Sequence, residues 1–322
     1  MPKTLASFTA RCFHFYTVKT IRCGLGSITS AVALFLHPLQ LRAGAVLMDL
    51  GTLGGDSSGA IGINESGQVV GWSAGSNGAL HAFRYKNGLM INLDAHGTNQ
   101  SMAAAINNAG QIVGSSLIQF TDGTGLYYSP QAASFDRGLL RNLIPGTNYS
   151  AASAINDRGE IAGGYTPPRG GTHAFLYRRG LLTDLGTLGG GLSVASGIND
   201  RGEIVGYSSI ASQGALHPFL YSHGLMRDLG TLGGNSSVAS AINNSGEIIG
   251  YSITTSNLEQ HPFLYSHGRM HDLGTLGGSN VFRGGIYTSD NFATAINNRG
   301  QVVGQAIAPT ARVTPFFTAK EG

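Results

Sequence analysis

The chain has 322 residues, a formal charge of +3, only 11% charged residues and 49 glycines, about twice the usual glycine share. With an ordinary 42% apolar fraction, this excludes a disordered chain, which is short of apolar residues and rich in net charge, and points to an all-β protein with many turns. The excess positive charge sits in residues 1–45, which hold Lys3, Arg11, Lys19, Arg22 and Arg42 and no acid; the remainder has 15 basic and 17 acidic residues and no dense Lys/Arg patch, so no nucleic-acid partner is expected.

Residues 1–45 read as a cleaved export signal. A basic stretch ends at Arg22, the apolar run "GLGSITSAVALFL" follows, and Ala43-Gly44-Ala45 supplies a small-x-small cleavage pattern. The run is shorter than the roughly 20 residues a membrane helix needs, and His37-Pro38 interrupts it. No membrane span is therefore expected in the mature chain. Both cysteines, Cys12 and Cys23, fall in this leader, so the body has no disulfide framework, thiolate nucleophile or cysteine-based metal site.

Beyond the leader a sentence repeats six times: "GINESGQVVG", "AINNAGQIVG", "AINDRGEIAG", "GINDRGEIVG", "AINNSGEIIG" and "AINNRGQVVG". Its asparagines are Asn64, Asn107, Asn156, Asn199, Asn243 and Asn297, spaced by 43, 49, 43, 44 and 54 residues. Such a period fits a four-stranded propeller blade or a helical repeat, and the units contain short β-rich runs without a 3.6-residue period. In the fifth unit four strands are predicted at 237–242, 247–252, 261–266 and 269–274. "NNSG" between the first two predicts a type I turn: the Asn side chain accepts an amide two residues on, and a left-handed Gly closes a bulge. The matching glycines are Gly67, Gly110, Gly159, Gly202, Gly246 and Gly300. A further glycine in each second strand, such as Gly250, signals close backbone approach.

The ends complement each other. The body opens with "VLMDLGTLGG", a fourth strand without its first three, and closes with "TPFFTAKEG", a third strand without its fourth. The predicted fold is an all-β, six-bladed β-propeller of four-stranded antiparallel blades over residues 46–322, closed by residues 46–50 pairing with the last blade. An open β-solenoid is the alternative.

The third strands read "HAFRY", "HAFLY", "HPFLY" and "HPFLY", and with "DLGTLGG" and "IN..G..VG" they resemble the HAF-repeat family of extracellular bacterial proteins. The resemblance covers residues 46–322. The second unit departs with "QAASF" and the sixth with "TPFFT". It implies export and a repeated β architecture, and it supplies no catalytic residues.

The recurring polar groups read as structural. His81, His173, His217 and His261 occur once per blade, too dispersed to converge on one metal, and are expected to bond neighbouring loops. The Asp of "DLG" (Asp49, Asp184, Asp228, Asp272) interchanges with Asn92 and Asn142, which argues for a hydrogen-bonding role. "GTLGG" lacks the Lys and the helix of a phosphate loop and reads as the link between blades. No metal and no cofactor are expected.

The repetition breaks in two places. The Leu-to-Ile gap ahead of each repeat is 12 or 13 residues except after Leu273, where it is 23, and residues 116–130 expand the connection between strands two and three of the second unit. Both connections are expected on one face, from blades standing across the ring or nearly so. They carry Phe120, Asp122, Tyr127 and Tyr128, and Phe282, Arg283, Tyr287 and Asp290, residues suited to anchoring a ligand. The favoured reading is a monomeric, secreted, non-enzymatic binding module with an extracellular ligand or envelope partner. The alternatives are a hydrolase or lyase using carboxylates such as Asp122 and Asp290 at a channel mouth, and a purely structural envelope protein.

Overall fold

The structure, a computed structural model, describes residues 48–94, 100–121, 126–136, 139–211, 214–255, 259–277, 281–283, 286–288, 291–309 and 313–318; within its strands the side chains of 120, 121, 126, 127, 281–283, 286–288, 313 and 314 lie outside the description. The expected export signal also lies outside it. The fold is that of the compact unit Asp49–Gly322.

Every regular element among the described residues is a strand. Blade 1 is β1 (Gly54–Ile63), β2 (Val69–Gly75), β3 (Leu80–Lys86) and β4 (Leu89–Asn92). Blade 2 is β5 (Ser101–Ile106), β6 (Ile112–Thr121), β7 (Leu126–Asp136) and β8 (Leu139–Asn142). Blade 3 is β9 (Ser150–Ile155), β10 (Ile161–Tyr165), β11 (His173–Arg178) and β12 (Leu181–Asp184). Blade 4 is β13 (Gly189–Ile198), β14 (Ile204–Ile210), β15 (Leu216–Ser222) and β16 (Leu225–Asp228), and blade 5 is β17 (Gly233–Ile242), β18 (Ile248–Thr254), β19 (Gln260–Ser266) and β20 (Arg269–Asp272). A hairpin, β21 (Val281–Arg283) and β22 (Ile286–Thr288), precedes blade 6, described as β23 (Phe292–Ile296), β24 (Val302–Ile307) and β25 (Val313–Thr318).

The strands form antiparallel meanders in chain order, and their six first strands converge on one cavity. The protein is a six-bladed β-propeller. Of the expected closing strand, Val46 and Leu47 lie outside the described residues, and Met48–Leu50 carry no strand assignment. Among the described residues no helix is long and apolar enough to cross a membrane.

The "NNSG" turn forms as its sequence dictates. Gly246 N donates to Asn243 O at 3.0 Å, and Gly246 sits at φ +83°. The third-to-fourth-strand turns are tighter: His223 (φ 52°) and Gly224 (φ 82°) both take positive φ, the type I′ geometry that matches strand twist. The Gly-Gly of "GTLGG" does more than link blades. In blades 1, 4 and 5 it joins the first strand, pairing Gly233 with Thr254, and Thr231 Oγ1 donates to Gly234 O at 2.8 Å.

The core consists of inter-blade layers. Between blades 4 and 5, Val205 and Leu229 meet Ala239, Ile248, Phe263 and Tyr265. Phe83, Phe175, Phe219 and Phe263 are fully buried, each contributing about 1.5–3 kcal/mol. Small first-strand residues such as Ala239 let the wide aromatics of the third strand fill the outer part of each wedge. The junction of blades 6 and 1 is looser. Ile63 is 68% exposed where its counterpart Ile198 is 9%, and Val303 is 42% exposed where Val205 is 0%.

Candidate functional site

The six "I-N" segments meet at one end of the propeller around a cavity of about 590 Å3. Its wall is a ring of isoleucines and asparagines from all six blades, with Glu65, Asp157, Asp200 and Arg299 at its rim. Each repeat asparagine works in two directions. Its Oδ1 accepts the amide four residues on at 2.9–3.0 Å in all six units. In the turns of Asn156, Asn199, Asn243 and Asn297 it also accepts the amide two residues on.

Its Nδ2 reaches into the next blade. Asn64 donates to Asn107 O, Asn107 to Asn156 O, Asn156 to Asn199 O, Asn199 to Asn243 O and Asn243 to Asn297 O, at 2.9–3.1 Å. A second lacing runs one residue on: the amides of Glu65, Asn108, Asp157, Asp200 and Asn244 donate to the side-chain oxygen of the next blade's equivalent, at 2.8–3.0 Å. Among the described residues neither lacing crosses from blade 6 to blade 1. The polar ring thus ties blades together. Sequence reasoning missed this second role, although two signals were present: the residue after each Asn is always Asn, Asp or Glu, and the residue four on is always Gln or Glu.

At the opposite face the motif histidines and aspartates pair with each other. His173 Nδ1 lies 2.9 Å from Asp184, His217 Nδ1 2.7 Å from Asp228 and His261 Nδ1 2.8 Å from Asp272. The same carboxylates accept the amides of Gly186, Gly230 and Gly274 at 2.7–2.8 Å, which forms the turn toward the next blade. In blade 2 the pair becomes Gln131 and Asn142, 3.5 Å apart, so "QAASF" departs together with its partner strand. These three histidines bond the fourth strand of their own blade, not a separate loop; His81 departs, its buried Nδ1 having no hydrogen-bond partner among the described residues.

Blade 3 adds Tyr165, whose hydroxyl donates to Asp184 at 3.0 Å. Burial, then this hydrogen bond and the negative charge, push the Tyr165 hydroxyl up to about 12. Burial alone would raise the Asp184 carboxyl, but the Gly186 amide, His173 and Tyr165 outweigh it and hold the carboxyl below the usual range. A lowered carboxyl stabilises the fold above its ordinary value near 3.8, and this stability is lost as pH falls through the lowered folded value. The side chain is 39% exposed, so screening keeps the term small. Asp184→Asn, which preserves an acceptor for Gly186, is expected to cost less than about 1 kcal/mol at pH 7. In urea titrations the deficit should begin to shrink below about pH 4 and vanish only once the pH has fallen through the lowered folded value; a deficit constant from pH 7 to pH 3 would refute the assignment.

Both insertions are hairpins. The first extends β6 and β7, pairing Phe120 with Tyr127 and Gln119 with Tyr128, whose side chain is exposed. The second is the separate β21–β22 pair, in which Phe282 faces Tyr287 and Arg283 faces Ile286. Asp122 and Asp290 lie outside the described residues. Antiparallel topology puts both hairpins on the face opposite the Asn cavity. Blades 2 and 6 are separated by blade 1 alone, because the ring order is 6-1-2. The expectation that they stand across the ring is therefore corrected: counting around a closed ring brings the first and last units together.

No protein-family model matches the chain, and no curated protein matches it significantly. Solved structures do. The chain is similar to an acylaminoacyl peptidase of Pyrococcus horikoshii at 8% identity and TM-score 0.50, covering 82% of this chain and 44% of that one. It is also similar to a puromycin-hydrolyzing peptidase of Mycobacterium tuberculosis (16% identity, TM-score 0.49, 83% and 44% covered) and to a gluconolactonase of Xanthomonas campestris (11%, 0.42, 83% and 89%). The chain spans less than half the length of either peptidase. At such identities the first likeness is one of fold, and the other two, with lower scores, add nothing to it.

Proposed function

We propose that the protein is an exported, non-enzymatic binding module of the HAF-repeat kind, engaging an extracellular glycan, peptide or envelope partner through the face that bears the two hairpins. One observation carries this reading. The asparagines, histidines and aspartates that recur from blade to blade are largely taken up in turns, lacing and His–Asp pairs, whereas the two departures from the repeat are both ordered as β-hairpins on one face. Rigid scaffolds commonly present binding groups on such variable segments.

The test is a glycan and peptide array probed with the intact protein and with a double deletion. In the deletion, residues 120–127 become an Asn-Gly turn and residues 280–289 are removed, restoring the 13-residue gap of the other units. A ligand bound by the intact protein and lost by the deletion is expected. No hairpin-dependent ligand, or hydrolysis of an arrayed ligand, would overturn the reading.

A further inference from the structure

The junction between blades 1 and 2 breaks the repeat in charge. In blades 2 to 6 the oxygen of the Glu or Gln four residues after the repeat asparagine accepts that asparagine's Nδ2 at 2.6–2.8 Å. In blade 1 this residue is Gln68, and its Oε1 is buried without a hydrogen-bond partner among the described residues. In blade 3 the equivalent Glu160 pairs with Arg178, the last residue of β11, at 3.4 Å. Lys86 ends β3 in the same place but faces a neutral Gln68.

A second change adds to this. The third-strand residue aimed at the next blade is Leu176, Leu220 or Leu264 in blades 3, 4 and 5, and Arg84 in blade 1. The Nε of Arg84 is likewise buried without a partner among the described residues. Orphaned buried polar groups are rare in native proteins, and an unpaired cationic donor is among the costliest.

Both orphans border one cavity of about 670 Å3, on the same face as the Asn ring. Gln68, Arg84 and Lys86 form one wall, Asp136 lies on the other, and Leu93 and Phe135 provide an apolar floor. From these we infer that the cavity binds a polyhydroxylated carboxylate of the uronic-acid class. The wall that bears Arg84 and Lys86 favours an anion. The guanidinium suits a planar carboxylate, which can accept two parallel N–H bonds. Gln68 Oε1 is an acceptor and calls for a hydroxyl donor, which an inorganic sulfate lacks. The volume falls in the range of small-ligand sites. The site stands apart from the hairpin face, so either proposal can fail without the other.

The test is titration calorimetry of the full chain with D-glucuronate, D-glucose and sulfate as probes. Arg84→Leu and Gln68→Glu each install the residue that sister blades carry, and unfolding curves confirm that both variants fold. Glucuronate is expected to bind at least about tenfold more tightly than glucose or sulfate. Each substitution should weaken it by at least about tenfold, and the double-hairpin deletion should bind it unchanged. Three results would overturn the inference: no glucuronate binding at millimolar concentration, sulfate bound as tightly, or affinity unaltered by both substitutions. If Arg84→Leu fails to fold, Gln68→Glu decides alone.

Discussion

Replacing Gly250 with alanine is expected to destabilise the protein by about 3 kcal/mol or more, toward the upper end of single-residue effects. The reason lies in the inner hairpin. The pairing of β17 with β18 slips between Ala239 and Ala241, which leaves Ser240 as an extra residue and tips the Val238 carbonyl over Gly250. A Cβ at Gly250 would stand 1.9 Å from Val238 O and 2.9 Å from both Ala239 Cα and Phe263 Cε1. The first obstacle is backbone, so no side-chain rotation relieves it. The same carbonyl crowds Gly71, Gly114, Gly163, Gly206 and Gly304, at 1.9–2.2 Å. Gly268 is the control: it has φ +78° but nothing within 4 Å of a built Cβ. Gly268→Ala should therefore cost only the left-handed penalty of about 1–2 kcal/mol. Equilibrium urea unfolding of both variants checks this, and a Gly250→Ala loss no greater than that of Gly268→Ala would refute it.

Asn156→Asp is expected to cost about 3 kcal/mol at pH 8, whereas Asn107→Asp should cost roughly 1 kcal/mol. The two asparagines are equally buried and equally laced to the next blade. Asn156 also accepts the Arg158 amide at 3.1 Å, but the difference that carries charge is the partner four residues on. Asn156 Nδ2 donates to the Glu160 carboxylate at 2.7 Å, and Glu160 is itself buried. Exchanging that donor for an oxygen sets two carboxylates against each other in a low-dielectric site. Asn107 Nδ2 donates to Gln111 Oε1 at 2.7 Å, and a rotated Gln111 amide can donate to the new carboxylate instead. Because one proton shared by the carboxyl pair relieves the repulsion, the Asn156→Asp deficit should shrink near pH 4 while that of Asn107→Asp changes less. Equal losses at pH 8, or no pH dependence, would show that the Glu160 contact does not govern this position.

These two expectations also mark what was legible beforehand. The turn in "AINNSGEIIG" is readable because its parts are close in sequence: Asn243 caps amides two and four residues on, and Gly246 takes the positive φ three residues on. The pairing of His217 with Asp228 was half legible. Both letters recur in the sequence, but only the β15–β16 register brings residues 11 apart into contact. The lacing of Asn199 to Asn243 O was not legible, because it spans 44 residues and depends on how one blade sits against the next. The residues proposed to bind ligand on the hairpins stand where the repeat pattern breaks. Arg84 and Gln68 are breaks too, but they are single letters inside an intact repeat, and their meaning appears only when the cavity that they share is seen.

By itself, the sequence determined the repeating unit: a 43- to 54-residue period, a four-strand meander, and the Asn and Gly that make its inner turn, because these rest on local hydrogen bonds and on φ values open to few residues. Tertiary structure alone decided which polar groups lace neighbouring blades, which glycine cannot accept a methyl group, and where an arginine Nε is buried without a partner among the described residues. Each of these depends on the distance between chain segments that the repeat separates by a whole blade or a strand pair, and such distances are set by packing.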